Sequence, residues 1–272
     1  MSLWTSLILQ TKLTATTGTN NLHQYYQSER EWPCHSLFFV LFYRLTRRDN
    51  MYTRLIGDIH GQLHEYRKYS IGDFDGPTIQ VGDFGIGFGQ SAYWYTTVDA
   101  HQNDGTHRFI HGNHDNLTMC KTMRGFIPDG TVEGHTMFLG GAWSIDNPSA
   151  PPGWYRRTPG VDWWEDEECT AAEFDLFLDI YATMKPRVMI THDCPSSVSH
   201  EMFFRTGLVK GIEYPNRTAA ALQRMYEVHQ PDFHFFGHWH NTVHLKLGNT
   251  HFQCIGELDY IDFDLENLEF AV

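Results

Sequence analysis

The chain is poor in cysteine and shows no pattern in the few it has. Five occur in 272 residues, at positions 34, 120, 169, 194 and 254, with no CxxC pair among them. An odd, scattered set argues against a disulfide framework and for a reducing compartment, read here as the cytoplasm. Long hydrophobic runs are also missing. The apolar stretch Ser36 to Leu45 is about ten residues, too short to span a bilayer. It also lies behind Glu29 and Glu31, unlike a secretory signal, so no membrane partner is expected. Basic residues are scarce, 20 against 33 acidic, for a net charge of -13. The first fifty residues hold five of the basic and three of the acidic residues, so the remainder is more acidic still. Without a basic footprint, extended nucleic acid is not an expected partner. No internal repeat is visible.

What is present is the composition of a soluble globular protein, long enough for one large domain or two small ones. Residues 1–50 differ from the rest. Thr11 to Asn21 is rich in Thr, Asn and Gly without periodicity, and the stretch is read as a non-core N-terminal extension, an upstream translated segment or an appendage. Residues 51–272 are read as one domain. Met51 leads straight into the strand-like Tyr52 to Ile56. Strand-like runs then recur at Thr78–Val81, Arg108–Ile110, Thr136–Leu139, Arg187–Ile190 and Phe233–Phe236. Helical patterns occur at Ser91–His101, at Thr218–His229, and after the capping box Thr170-Ala-Ala-Glu173. The C-terminal part, Val243–Leu247, Thr250–Ile255 and Tyr260–Leu265, is strand and turn. This order predicts a layered α/β domain with two sheets inside and helices outside.

Five short motifs follow the apolar runs. They are Gly57-Asp58-Ile59-His60-Gly61, Gly82-Asp83-Phe84-Gly85, Gly112-Asn113-His114-Asp115, Thr191-His192-Asp193 and Gly237-His238-Trp239-His240. Each sets Asp, Asn or His at a strand end, where side chains converge in the crevice of an α/β sheet. Carboxylate, amide oxygen and imidazole suit hard and borderline divalent cations. Seven such donors are enough for two cations sharing one carboxylate, a device for displacement at phosphorus.

In order and wording these motifs resemble the calcineurin-like metallophosphoesterases, from Met51 to the C-terminus. The resemblance implies a four-layer α/β/β/α sandwich of two mixed sheets flanked by helices. It implies that Asp58, His60 and His240 hold one divalent ion, that Asn113, His192 and His238 hold a second, and that Asp83 bridges them. Manganese is the first expectation for the pair; iron and zinc fit the same ligands. The activity implied is hydrolysis of a phosphomonoester or phosphodiester by direct attack of metal-bound hydroxide. His114 is then the catalytic acid, with Asp115 orienting it or capping the helix that follows. The partner implied is a small phosphorylated substrate or nucleotide, or a phosphoprotein.

One departure narrows the field. Ser/Thr protein phosphatases and dinucleotide polyphosphate hydrolases carry an arginine soon after the second motif's aspartate; here Asp83-Phe84-Gly85-Ile86-Gly87-Phe88-Gly89 has none. Both activities stay as alternatives, as does a scaffold that keeps the fold without the chemistry. Arg156 and Arg157, in the insert Asn147 to Trp164, either bring positive charge to the substrate or form a solvated pair. Trp154, Tyr155, Trp163 and Trp164 either stack an aromatic leaving group or pack on the core. Cys194 is read as a structural thiol rather than a ligand or nucleophile. His64, His101, His135, His200, His234, His244 and His251 stand outside the motifs and are read as structural or surface residues.

Overall fold

The structure, a computed structural model, describes residues 52–68, 74–90, 92–102, 105–206 and 216–271. The expectation for residues 1–50 lies outside them. Among the described residues eleven strands are formed: β1 (Thr53–Ile56), β2 (Thr78–Gln80), β3 (His107–Phe109), β4 (Val132–Glu133), β5 (Thr136–Leu139), β6 (Val188–Thr191), β7 (Phe233–Phe236), β8 (Val243–Leu247), β9 (Thr250–Cys254), β10 (Tyr260–Asp264) and β11 (Glu269–Phe270). The helices are α1 (Leu63–Arg67), α2 (Ala92–His101), α3 (Leu117–Cys120), α4 (Ala171–Met184), α5 (Ser196–Thr206) and α6 (Arg217–Val228), with a 3₁₀ turn at Glu165–Glu167.

Two mixed sheets result. The first has the order β11-β10-β1-β2-β3, the second β4-β5-β6-β7-β9-β8. In the first, β1, β2 and β3 run parallel and β10 pairs antiparallel with β1, Thr53 opposite Phe263. In the second, β5, β6, β7 and β9 run parallel and β4 and β8 are antiparallel edges.

The layering follows from side chains alternating along each strand. Leu55, Ile79, Phe138, Val188, Ile190 and Phe235 point into one core between the sheets. Their neighbours point the other way. Ile56 and Phe109 pack with Tyr66, Phe84, Trp94 and Leu117 beneath α1, α2 and α3. Met137, Leu139 and Met189 pack with Phe174, Phe177, Tyr181, Leu222 and Met225 of α4 and α6. Every strand residue of β1, β5 and β6 is buried, as strands covered on both faces require. The α/β/β/α sandwich implied by the resemblance is therefore the observed one.

Local signals act as expected at α4. Thr170 Oγ1 accepts from Glu173 N–H while the Glu173 carboxylate accepts from Thr170 N–H, closing the capping box. The helix ends at Lys185, left-handed at φ 48°, just before Pro186. Helices α1 and α5 and edge strands β4 and β11 are additions that the periodicity does not mark. No helix among the described residues is long and apolar enough to cross a membrane.

Candidate metal centre

The five motifs lie just beyond the C-terminal ends of β1, β2, β3, β6 and β7. The donors fall into two groups whose ligand atoms lie within 4.8 Å of one another: Asp58, His60, Asp83 and His240, and Asp83, His192 and His238. Asp83 belongs to both. Its Oδ2 lies 3.9 Å from His60 Nε2 and its Oδ1 lies 3.2 Å from His192 Nε2. Asn113 Oδ1 stands 3.1 Å from the same His192 nitrogen, beside the second group. In the first group, His60 Nε2 and His240 Nε2 face each other at 3.0 Å, and His240 Nε2 is 3.2 Å from Asp58 Oδ2.

The backbone is bent to bring these groups together. Among the described residues seven non-glycine residues have positive φ, and four are donors: His60 (46°), Asp83 (56°), His238 (66°) and His240 (52°). Such left-handed residues concentrate where a site demands them. The motif glycines have a steric reason. A Cβ on Gly112 would lie 2.2 Å from Asp83 Oδ1, and one on Gly237 2.3 Å from Asp58 Oδ1. Each carboxylate rests on a bare Cα of another motif.

Burial sets the electrostatics. Asp58 and Asp83 are buried. Burial would raise the Asp83 carboxyl, but His192, His114 and His60 hold it well below the usual range. Burial would lower His192, yet the adjoining Asp83 carboxylate pushes it up to about 10. His192 Nδ1 faces the Val81 carbonyl at 2.9 Å. That contact keeps a proton on Nδ1 and turns Nε2 toward Asp83, as an outer carbonyl would orient a metal-binding histidine. A cation held at Nε2 would take the place of the proton there. His238 N–H donates to both Asp58 oxygens at 3.1 Å, tying the fifth motif to the first. Two buried carboxylates, an amide oxygen and four imidazoles in two groups with a common member make a donor set that fits a pair of divalent cations.

His114 lies at the mouth of this arrangement. Its ring meets His60 edge to face at 4.9 Å and stacks on Phe88 at 5.6 Å. Burial, with Arg157 and His60 adding and Asp83 opposing, pushes it down to about 4.

The contacts of Asp115 and of the arginine pair are specific. Asp115 neither orients the His114 ring nor caps the next helix. Its carboxylate accepts from Phe84, Gly85, Ile86 and Gly112 N–H at 2.7–3.0 Å, which clamps the second motif to the third. Helix α3 is capped by Asn116, which accepts from Met119 N–H. The arginine pair also divides. Arg156 is exposed. Arg157 is buried, pairs with Asp146 at 2.9 Å, donates to the Asn113 carbonyl at 3.3 Å and sets its Nη2 against His114 Nε2. The group against the His114 ring is thus a guanidinium from the insert.

The insert's aromatics divide likewise: Trp164 is buried and meets Phe88, while Trp154 and Tyr155 are 45% and 68% exposed. Cys194 is buried among Val198, Met202 and Phe236, and burial pushes its thiol up.

Sequence reasoning missed a group behind Asn113. Asn113 Nδ2 donates to Ser144 Oγ at 3.0 Å, and Ser144 donates through both N–H and Oγ to Glu167. It also missed the pair of buried His111 and half-buried Asp129, Nε2 to Oδ2 at 3.0 Å. None of these residues stands in a donor motif; the histidine directly before Gly112 was the available hint.

No family model matches the sequence, and no curated protein matches it significantly. Among solved structures, the chain is similar to a protein provisionally named a 5'-nucleotidase from Staphylococcus aureus, in complex with alpha-ketoglutarate. The TM-score is 0.44 at 13% identity, covering 81% of this chain and 52% of that one. It is similar to the Thermus thermophilus sulfate thiohydrolase SoxB at TM-score 0.38 and 11% identity, over 76% of this chain and 39% of that one. A conserved uncharacterized protein of Streptococcus pneumoniae, a predicted phosphoesterase, scores 0.28 at 10% identity, over 81% and 93% of the two chains. The chain thus spans about half the length of the first and two fifths of the second. These scores are too low to bear on function. The fold that the resemblance implies, two mixed sheets flanked by helices, is the one observed.

Proposed function

We propose that this protein is a dinuclear metal-dependent phosphoesterase that hydrolyses a small phosphomonoester or phosphodiester without a covalent intermediate. The observation that carries the reading is the buried Asp83, common to two donor groups and flanked by His114. Asp58, His60 and His240 would hold one cation and Asn113, His192 and His238 the other, with Asp83 between them. Such a pair activates a water and offsets charge on the phosphoryl group.

The chain's own residues supply the rest. His114 is the proton donor to the leaving oxygen. In the free protein Arg157 donates to its Nε2, so the ring proton sits on Nδ1. An anionic phosphoryl oxygen arriving at the mouth draws the guanidinium to itself, for a planar fork suits such an oxygen. Nε2 is then free to carry a proton, and the nearby anion raises the ring's basicity. Arg157 is proposed in the role left open by the missing arginine after the second motif. Asp115 holds the second and third motifs in register.

The test is a panel of aryl phosphate mono- and diesters, cyclic nucleotides, dinucleotide polyphosphates and phosphopeptides, run with manganese, iron or zinc on protein of measured metal content. Turnover that requires two bound cations supports the reading. Protein that takes up no cation and turns over nothing refutes it in favour of a scaffold.

A further inference from the structure

An asparagine that must ligate a cation has a wrong end. Its oxygen binds metal and its NH2 repels it, and the two ends are nearly the same shape. Something has to select one. Asn113 is buried, and its Oδ1 points at His192 Nε2 while its Nδ2 points at Ser144 Oγ. A serine hydroxyl can donate or accept, so Ser144 by itself enforces nothing. Glu167 removes the freedom. One of its oxygens accepts from Ser144 N–H at 3.1 Å and the other from Ser144 Oγ. With its proton committed to the carboxylate, Ser144 Oγ presents a lone pair, and only the NH2 end of Asn113 suits it. All three residues are buried, so water does not offer an alternative partner.

We propose that Ser144 and Glu167 are positioning residues that fix the Asn113 amide with its oxygen toward the second cation group. The inference rests on the dinuclear reading above. Glu167 ends the 3₁₀ turn that directly follows the insert carrying Arg157. Insert and turn thereby set a guanidinium against His114 and the polarity of Asn113 behind it.

Replacing Glu167 by glutamine conserves shape and reverses the sense of the relay. The Ser144 backbone N–H can only donate, so the new amide must keep its oxygen there and turn its NH2 to Ser144 Oγ. The serine proton is released toward Asn113, and the Asn113 amide is no longer held oxygen-inward. Loss of an outer partner of this kind costs about 10–100-fold in metal affinity.

The experiment is calorimetric titration of the full chain with Mn²⁺ at about pH 8, above the value of about 7 to which burial pushes the Glu167 carboxyl. Spin coupling of the manganese pair is followed by electron paramagnetic resonance. Glu167→Gln and Ser144→Ala should each weaken the second cation about 10–100-fold and leave the first unchanged. The decisive arm repeats Glu167→Gln in an Asn113→Asp background. A carboxylate has no wrong end, so there the substitution should cost less than about twofold, and the two changes should be non-additive. An equal loss in both backgrounds means that Glu167 acts only through packing, and overturns the proposal. So does wild-type affinity for both cations in Glu167→Gln, which leaves the dinuclear reading standing. A wild-type chain that binds no second cation overturns both.

Discussion

Replacing Asp83 by asparagine should damage the two cation groups unequally, and the structure says which suffers more. Asp83 Oδ1 accepts from His114 N–H at 2.7 Å, and a backbone N–H cannot become an acceptor. An asparagine of the same shape must keep its oxygen there, on the side of His192. Its NH2 then takes the place of Oδ2, on the side of His60. The first group, with Asp58, His60 and His240, loses its bridging ligand outright and meets an N–H donor instead. The second keeps an amide oxygen but loses the charge. Disturbing a residue that only supports a ligand costs 10–100-fold in affinity, so direct loss should exceed about 100-fold, or about 3 kcal/mol, at the first group. The second should weaken by less. Turnover of an aryl phosphate should fall to background. Calorimetric titration with Mn²⁺ measures both affinities, and thermal unfolding of the metal-free variant controls for misfolding. Two cations bound at wild-type affinity with near-normal turnover would refute the shared-aspartate arrangement; equal weakening of both would refute the orientation argument.

His114→Asn should retain both cations and slow hydrolysis more for alkyl than for nitrophenyl leaving groups, which need less protonation; steady-state rates on the two ester types check this, and equal losses would remove His114 as the acid. Arg157→Lys should lower turnover about tenfold or more, because an ammonium cannot serve Asp146, Asn113 and His114 together, while Arg156→Ala stays within about twofold. Since burial, with Arg157 adding to it, holds the His114 ring down, loss of Arg157 should also move the alkaline limb of the free enzyme's pH profile, the limb set by the acid, upward. His234 is buried, and burial pushes it down to about 3. The unfolded chain takes a proton there below about 6.5 and the folded chain does not, so stability present above that pH is lost as pH falls toward 3. The loss reaches about 2 kcal/mol at pH 5, and denaturant titration of His234→Gln should show that share of the pH dependence gone. Finally, a chain beginning at Met51 should bind both cations and turn over at the full-length rate, since every donor lies at or after Asp58; lower activity or a much lower Tm would show that residues 1–50 contribute.

The parts legible in the sequence were those written locally. A donor beside glycine at the end of an apolar run is a short string, and the run itself fixes the strand. The glycine is needed because a carboxylate from another motif lies on its Cα, as Gly112 and Gly237 show, so each string carries a trace of the three-dimensional packing. The layered α/β class was legible because strand-like runs alternate with helical patterns before a closing run of strands. What stayed hidden depends on long-range hydrogen bonds. Three of the four acceptor contacts of Asp115 join residues about thirty apart, and the path from Asn113 through Ser144 to Glu167 crosses three segments. The division of Arg156 from Arg157 could not be read either, since neighbours in a loop take opposite sides by packing alone. Helix α5, with its serines, carries too few apolar positions to announce itself by period.

The strain in the donor loops and the chemistry of the donors are connected. Four donors hold left-handed backbone, which for non-glycine residues costs of order 1 kcal/mol each, or about 4 kcal/mol together. The same loops press two carboxylates against glycine and bring two imidazole nitrogens to 3.0 Å. Nothing in ordinary core packing calls for this. A ligand present at a thousand times its dissociation constant stabilises the folded state by about 4 kcal/mol, the same size as the backbone cost. Cations that bind these groups can therefore offset the bending that forms the site. A scaffold that had given up the chemistry would gain stability by relaxing His60, Asp83, His238 and His240 to ordinary backbone. That all four are bent where the two donor groups meet is what the backbone contributes to the dinuclear reading proposed above.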